Sequence, residues 1–138
     1  MKTTLLTVGR AKPPFAEADA HYRKLLSRHQ PVEVVEARDD SDLLRKLPDG
    51  GRLVAIDARG KGMDSLQWSR WLDQRRLEAR DLCLLVGGPR GLPEEAVRAA
   101  DEVIALGPQT MAHQLARVVV LEQLFRAAKT LAGERYHH

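Results

Sequence analysis

The chain of 138 residues holds a single cysteine, Cys83, so no internal disulfide can form, and no Cys or His partner stands at zinc-ligand spacing. A metal-free protein of a reducing, cytoplasmic compartment is expected. Aromatics are scarce, six in all, and none alternates with basic residues along a strand, which disfavours a sheet that stacks single-stranded bases. Uninterrupted apolar runs such as Val118 to Leu121 fall far short of the roughly 20 residues a bilayer span requires. The opening MKTTLLTVGRAK follows its short apolar run at once with Arg10 and Lys12 and has no small-residue cleavage site, so no secretion signal is expected. Charge of one sign is also in small excess: 22 basic against 19 acidic residues, a net of +3, permits RNA binding without demanding it. Two nucleotide motifs are missing. No GxGxxG follows the first apolar run, and no GxxxxGK precedes a Ser or Thr, which disfavours a dinucleotide fold and nucleotide hydrolysis.

What is present is one core's worth of apolar residues, 43% of the chain, so a single domain over residues 1–138 is expected. Apolar runs bounded by turn residues alternate with segments of helical period, the pattern of an α/β protein with a mostly parallel sheet. Five strands are predicted: Thr3 to Val8, Val32 to Glu36, Leu53 to Asp57, Asp81 to Val86 and Val103 to Leu106. The fourth is apolar throughout and should be covered on both faces. Pro13-Pro14 opens a helix with Phe15, Ala18, Tyr22, Leu25 and Leu26 on one stripe; Arg59-Gly60-Lys61-Gly62 has the composition of a tight turn before a helix capped by Asp64 or Ser65. The last helix, from His113 to about Ala132, is apolar almost all round. One stripe can face the sheet, and a second needs another cover, most simply a homodimer contact.

Three loops follow the C-terminal ends of predicted strands three, four and five: Asp57 to Gly62, Gly87 to Gly91 and Gly107 to Ala112. Ligands of open parallel sheets bind at those ends. Gly87 and Gly88 let backbone approach a ligand closely, although Gly-Gly-Pro is equally an ordinary strand-to-helix turn. His113, at a helix N-terminus whose dipole disfavours the imidazolium, can be a neutral proton acceptor or a packing residue. Arg117, one turn on, can hold a phosphate or be solvated; His137-His138 lacks a third metal ligand. Cys83 has the setting of a small core residue.

The segment LLVGGPRGL, followed about twenty residues later by QTMAHQLARVVVLEQLFRAAKTLAGERYHH, closely resembles the SPOUT-class ribosomal RNA large subunit methyltransferase H family, which acts on pseudouridine. LLTVGRAK and LVAIDARGK extend the resemblance over most of the chain, and its specificity lies in the joint order and spacing of these motifs. The resemblance implies a SPOUT fold with a C-terminal trefoil knot, a homodimer, S-adenosylmethionine as cofactor, and methylation of a pseudouridine N3 in large-subunit (23S) ribosomal RNA within the ribosome. It implies a cofactor site of Ile56, Gly87, Gly88, Leu106, Gly107, Pro108, Gln109, Thr110, Met111 and Ala112. His113, Tyr136, His137 and His138 are the implied catalytic candidates, with Arg117 and Arg135 for RNA phosphate. Other functions compatible with this resemblance are a ribosome-associated protein that binds cofactor without turnover and a knotted enzyme acting on transfer RNA. The chain departs from the family pattern in a short Arg38 to Gly51 region, in GPQTMAHQ where MTFPHQ is closer to the rule, and in His138 where Lys or Arg is usual.

Overall fold

The computed structural model describes residues 1–133, so Arg135, Tyr136, His137 and His138 lie outside the described residues. Ten elements follow in chain order: β1 (Thr3–Val8), α1 (Phe15–Leu26), β2 (Val32–Ala37), α2 (Asp40–Arg45), β3 (Arg52–Gly62), α3 (Ser65–Glu78), β4 (Leu82–Val86), α4 (Glu94–Ala99), β5 (Glu102–Ala105) and α5 (His113–Leu131). The strands form one sheet in the order β2-β1-β4-β3-β5, and each neighbouring pair is parallel. All five C-terminal strand ends therefore share one edge of the sheet.

Alternation along the strands builds two apolar layers. Leu82, Leu84 and Val86 of β4 point into a core with Leu5, Val54, Trp68, Leu72, Val120, Leu121 and Leu124, under α1, α3 and α5. Cys83 and Leu85 point the other way, to Leu6, Leu43, Leu53, Ala55 and Ala96 under α2 and α4. β4 is buried at every position, as its unbroken apolar run predicts, because helices cover both faces. Burial pushes the Cys83 thiol up to about 11, so it stays protonated as a small core group.

Local signals set the helix starts. Asp64 caps α3 by a capping box: its carboxylate accepts the Gln67 amide at 2.7 Å while Gln67 Oε1 accepts the Asp64 amide at 2.8 Å. Asp39 caps α2 by accepting the Asp42 amide at 2.8 Å. Helix α5 packs against both α1 and α3. Much of the apolar circumference that a homodimer contact was expected to cover is thus covered within the chain. What stays open is a smaller stripe: Leu115 is exposed and Val118 and Val119 are half-buried.

β3 differs from expectation. Arg59 to Gly62 does not end the strand; the strand runs on to Gly62 with an irregularity in which Ile104 faces first Ile56 and then Lys61. Residues 57–60 are extra residues between those two pairings. Gly60 is needed there, since a Cβ would sit 2.6 Å from the Val103 carbonyl.

Candidate functional site

A cavity of about 410 Å³ opens at the irregularity of β3 and the C-terminal ends of β4 and β5. Its size is that of a small-molecule pocket. Val86 leads from β4 into Gly87-Gly88-Pro89-Arg90-Gly91, a turn closed by the Gly91 amide donating to the Gly88 carbonyl at 2.9 Å. A Cβ on Gly87 would lie 2.3 Å from the Gly91 carbonyl carbon and 2.4 Å from the Leu92 nitrogen, so this turn folds back on its own start only because residue 87 has no side chain. Gly91 holds φ of +81°, which glycine adopts without strain.

The walls are of two kinds. Ile56, Val86, Leu92, Leu106, Met111 and Ala116 make the apolar part. The loop after β5 makes the polar part, with Gly107, Gln109 and Thr110. Among the described residues, the amides of Gly107, Gln109, Thr110 and Met111 donate to no protein acceptor. That loop offers directional donors to a ligand at no cost in internal hydrogen bonds. Asp57, also on the wall, is held below the ordinary carboxylate value by hydrogen bonds from Arg59, whose guanidinium reaches Asp57 Oδ1 at 2.9 Å and Glu94 Oε2 at 3.0 Å.

His113 stands at the cavity wall on the first turn of α5. Partial burial, and then the charges of Arg117 and Lys12, push its pKa below the ordinary 6.5. The ring is neutral at pH 7 and able to accept a proton. Of the residues proposed for cofactor, Ile56, Gly87, Gly88, Leu106, Gly107, Gln109, Thr110 and Met111 line this one cavity. Pro108 lies in the same loop and Ala112 is the α5 N-cap, neither of them on the wall itself.

Arg117 is placed differently from the phosphate contact expected of it. It is 2% exposed, and its guanidinium pairs with Asp19 Oδ2 at 2.7 Å and Glu36 Oε2 at 2.9 Å, with Thr7 Oγ1 at 3.2 Å. A side chain bonded on these sides beneath the β1–α1 loop cannot reach a nucleic-acid backbone. Asp19, Glu36 and Gln114 were not singled out from the sequence. The signal available was polarity inside apolar stripes: Asp19 lies between Phe15 and Tyr22 at helical spacing, and Gln114 and Arg117 lie on the most apolar helix. No group of three or more His, Cys, Asp or Glu among the described residues is arranged to hold a metal ion, and no helix among them is long and apolar enough to cross a membrane.

Comparison with known proteins is direct. Residues 1–137 match the family described as "Predicted SPOUT methyltransferase". The ribosomal RNA large subunit methyltransferase H of Xanthomonas oryzae pv. oryzae (strain PXO99A) is 37% identical over 154 aligned positions, covering 99% of each chain. Its counterpart in Xanthomonas campestris pv. campestris (strain B100) is 36% identical over the same span and coverage. An alignment longer than this chain means that these relatives carry residues it lacks. In fold, a probable methylase family protein from Haemophilus influenzae Rd KW20 superposes with a TM-score of 0.60 at 9% identity, over 99% of this chain and 70% of that one. A family match over nearly the whole length, with relatives at this identity and coverage, places the chain among the SPOUT methyltransferases and, within them, in the ribosomal RNA large subunit methyltransferase H family.

Proposed function

We propose that this protein uses S-adenosylmethionine to methylate the N3 position of a pseudouridine in large-subunit (23S) ribosomal RNA, acting in the cytoplasm on the ribosome. The observation that carries the reading is the cavity at the C-terminal strand ends, with unbonded amides on the loop after β5 and a side-chain-free approach at Gly87. These residues fit the cofactor. Ile56, Leu106 and Met111 suit the apolar faces of the cofactor's adenine, and the amides of Gly107, Gln109, Thr110 and Met111 suit the ring nitrogens, ribose hydroxyls and methionine carboxylate. The bound cofactor supplies an electrophilic methyl group. The chain's own task is to orient the acceptor nitrogen in line with that methyl and to remove its proton.

His113 is assigned the proton, because its ring is neutral and lies on the wall of the same cavity. Tyr136, His137, His138 and Arg135, outside the described residues, are assigned to completing the substrate side of the site from the tail. The exposed Leu115 with half-buried Val118 and Val119 supports a homodimer through α5, in which one subunit's tail reaches the other's cavity. The cofactor loops are taken to form the trefoil knot characteristic of the fold.

The test is incubation with methyl-labelled S-adenosylmethionine and ribosomes lacking the modification, followed by nucleoside analysis. N3-methylpseudouridine from 23S RNA is the expected product. Cofactor binding with no methyl transfer to any RNA overturns the enzyme reading, and labelling of transfer RNA alone overturns the target. A stable monomer at micromolar concentration in sedimentation overturns the dimer.

A further inference from the structure

One exposed segment is held far more firmly than its surroundings require. Between β1 and α1, residues 9–12 form an irregular loop, yet hydrogen bonds hold its backbone at every residue. The Gly9 amide donates to the Ala37 carbonyl at 2.8 Å, and the Gly9 carbonyl accepts from Arg117 at 3.4 Å. Gln114 Nε2 donates to the Arg10 carbonyl at 2.7 Å, while Gln114 Oε1 accepts the Lys12 amide at 3.0 Å. Glu36 Oε2 accepts the Ala11 amide at 2.9 Å, and the Lys12 carbonyl accepts the Ala16 amide at 2.9 Å.

The groups that fix this loop are themselves costly to bury. Gln114 is 9% exposed and Arg117 2%, and Arg117 is in turn locked by Asp19 and Glu36. Burial alone would raise the Glu36 carboxyl, but the Ala11 amide, Arg117 and the nearby Arg10 outweigh it and hold it ionised. Two side chains of the loop, Arg10 and Lys12, are exposed, and among the described residues neither has an ion-pair partner within 4.0 Å. Lys12 lies close enough to His113 for its charge to act on that ring, and Arg90, exposed and on the wall of the same cavity, adds a third cation across the mouth. The carboxylates on or beside this rim are engaged elsewhere: Asp57 by Arg59, Glu36 by Arg117, and Asp39 by the Asp42 amide of α2.

We propose that the loop Gly9 to Lys12 is a preorganised phosphate clamp, in which Arg10 and Lys12, assisted by Arg90, grip the ribosomal RNA backbone beside the nucleotide that enters the cavity. The inference rests on the RNA-methylating reading above and replaces Arg117 as the phosphate ligand: Arg117 sits one layer beneath and positions the loop. Fixing the backbone in advance removes the ordering cost from binding, so two cations held in place contribute more than two on a flexible loop.

The test compares Arg10→Ala/Lys12→Ala with Arg28→Ala/Arg70→Ala, which removes the same charge from exposed positions elsewhere. For the loop pair, KM for ribosomal substrate should rise about tenfold while kcat changes less than about twofold, and the cofactor dissociation constant should not move. The salt dependence of RNA binding should become shallower by roughly 1.4 to 1.8 in log–log slope, the loss of two phosphate contacts. Gln114→Met, which frees the loop but keeps both charges, should weaken RNA binding with the slope unchanged. Equal KM and equal slope in the two double variants overturn the clamp. Absence of methylation by the wild type overturns the parent reading instead, and the difference in RNA-binding slope between the double variants is readable in either case.

Discussion

Two loops flank the mouth of the cavity, and they are built on opposite plans. In the loop after β5 the backbone is unbonded: the amides of Gly107, Gln109, Thr110 and Met111 meet no acceptor among the described residues. In the loop after β1 the backbone makes at least one hydrogen bond at each residue from Gly9 to Lys12, and the cationic side chains are left over. The first plan suits a small polar ligand that is enclosed and needs directional donors. The second suits a large polyanion that stays outside and needs charge at a fixed place. Cavity volume would not have told the functional end of the sheet from the other one: a hollow of about 480 Å³ lies near the N-terminal ends of β1, β2 and β4. There charged and polar side chains pair with one another, Lys2 with Glu33 at 3.1 Å, and the Lys2 amide donates to Asp81 Oδ1 at 2.9 Å.

The strongest way to break the contrast is to remove the support of the hydrogen-bonded loop. Arg117→Met leaves Asp19, 3% exposed at its side chain, without its short ion pair, and destabilisation of about 3–5 kcal/mol is expected in chemical denaturation. The matching change at the far end, Lys2→Ala, opens a pair whose side chains are 64% and 56% exposed and should cost about 1 kcal/mol or less. Similar losses for the two variants would mean that the buried network does not hold the loop.

Gly87→Ala attacks the cofactor side. Its Cβ would meet the backbone of Gly91 and Leu92 at 2.3 to 2.4 Å, so the turn must open, with a stability loss of about 1–3 kcal/mol and a fall in cofactor affinity of at least about tenfold. Gly51→Ala is the control: φ of +84° and a 2.5 Å approach to the Asp81 carbonyl predict a comparable loss of stability, yet cofactor affinity measured well below the melting temperature should be unchanged. Loss of binding in both variants would assign the effect to folding alone.

Proton chemistry links the two loops, since His113 lies between them. Its pKa is held below 6.5 first by burial and then by Arg117 and Lys12. The ring is therefore predominantly neutral at pH 6.5 and above, and on its account transfer should decline as pH falls through the depressed value. His113→Gln should lower kcat and remove that acid limb, whereas Lys12→Ala should move the limb to higher pH by deleting one repelling charge. The stability effect has the same sign. With the folded pKa depressed, the unfolded chain takes up the proton first, so stability present above about 6.5 is lost as pH falls toward the folded value. An acid limb identical in all three proteins would remove His113 from the reaction.

Much of this arrangement was legible in the residues. β1 was predicted at its observed bounds, and the buried β4, the capped α3 and the start of α5 follow from apolar runs and capping chemistry that act within a few positions. Loops at the ends of β4 and β5 were marked by glycine for the same local reason. Two features were not legible. The continuation of β3 through Arg59 to Gly62 depends on the backbone of β5, about forty residues away, and a segment of Arg, Gly and Lys carries no β signal of its own. The burial of Arg117 depends on partners 98 and 81 residues distant, Asp19 and Glu36, which no spacing rule connects to it.

The smallest expected effect gives the sharpest test of the backbone plan. Gln109 and Thr110 are exposed residues at the cavity wall, and their amides have no partner among the described residues. If these amides hold the cofactor, Gln109→Ala and Thr110→Ala keep every donor that matters, and affinity should change by less than about threefold. That is below the roughly 1 kcal/mol a lost hydrogen bond would cost. Gln109 adds a conformational point, because its amide group occupies the space where a Cβ on Gly107 would stand, 2.8 Å away at Nε2. Shortening Gln109 empties that space, so Gly107→Ala should be better tolerated in the Gln109→Ala background than alone, although φ of +157° still favours glycine. A loss above about tenfold from either single variant would move recognition from the backbone to the side chains and erase the difference between the two loops.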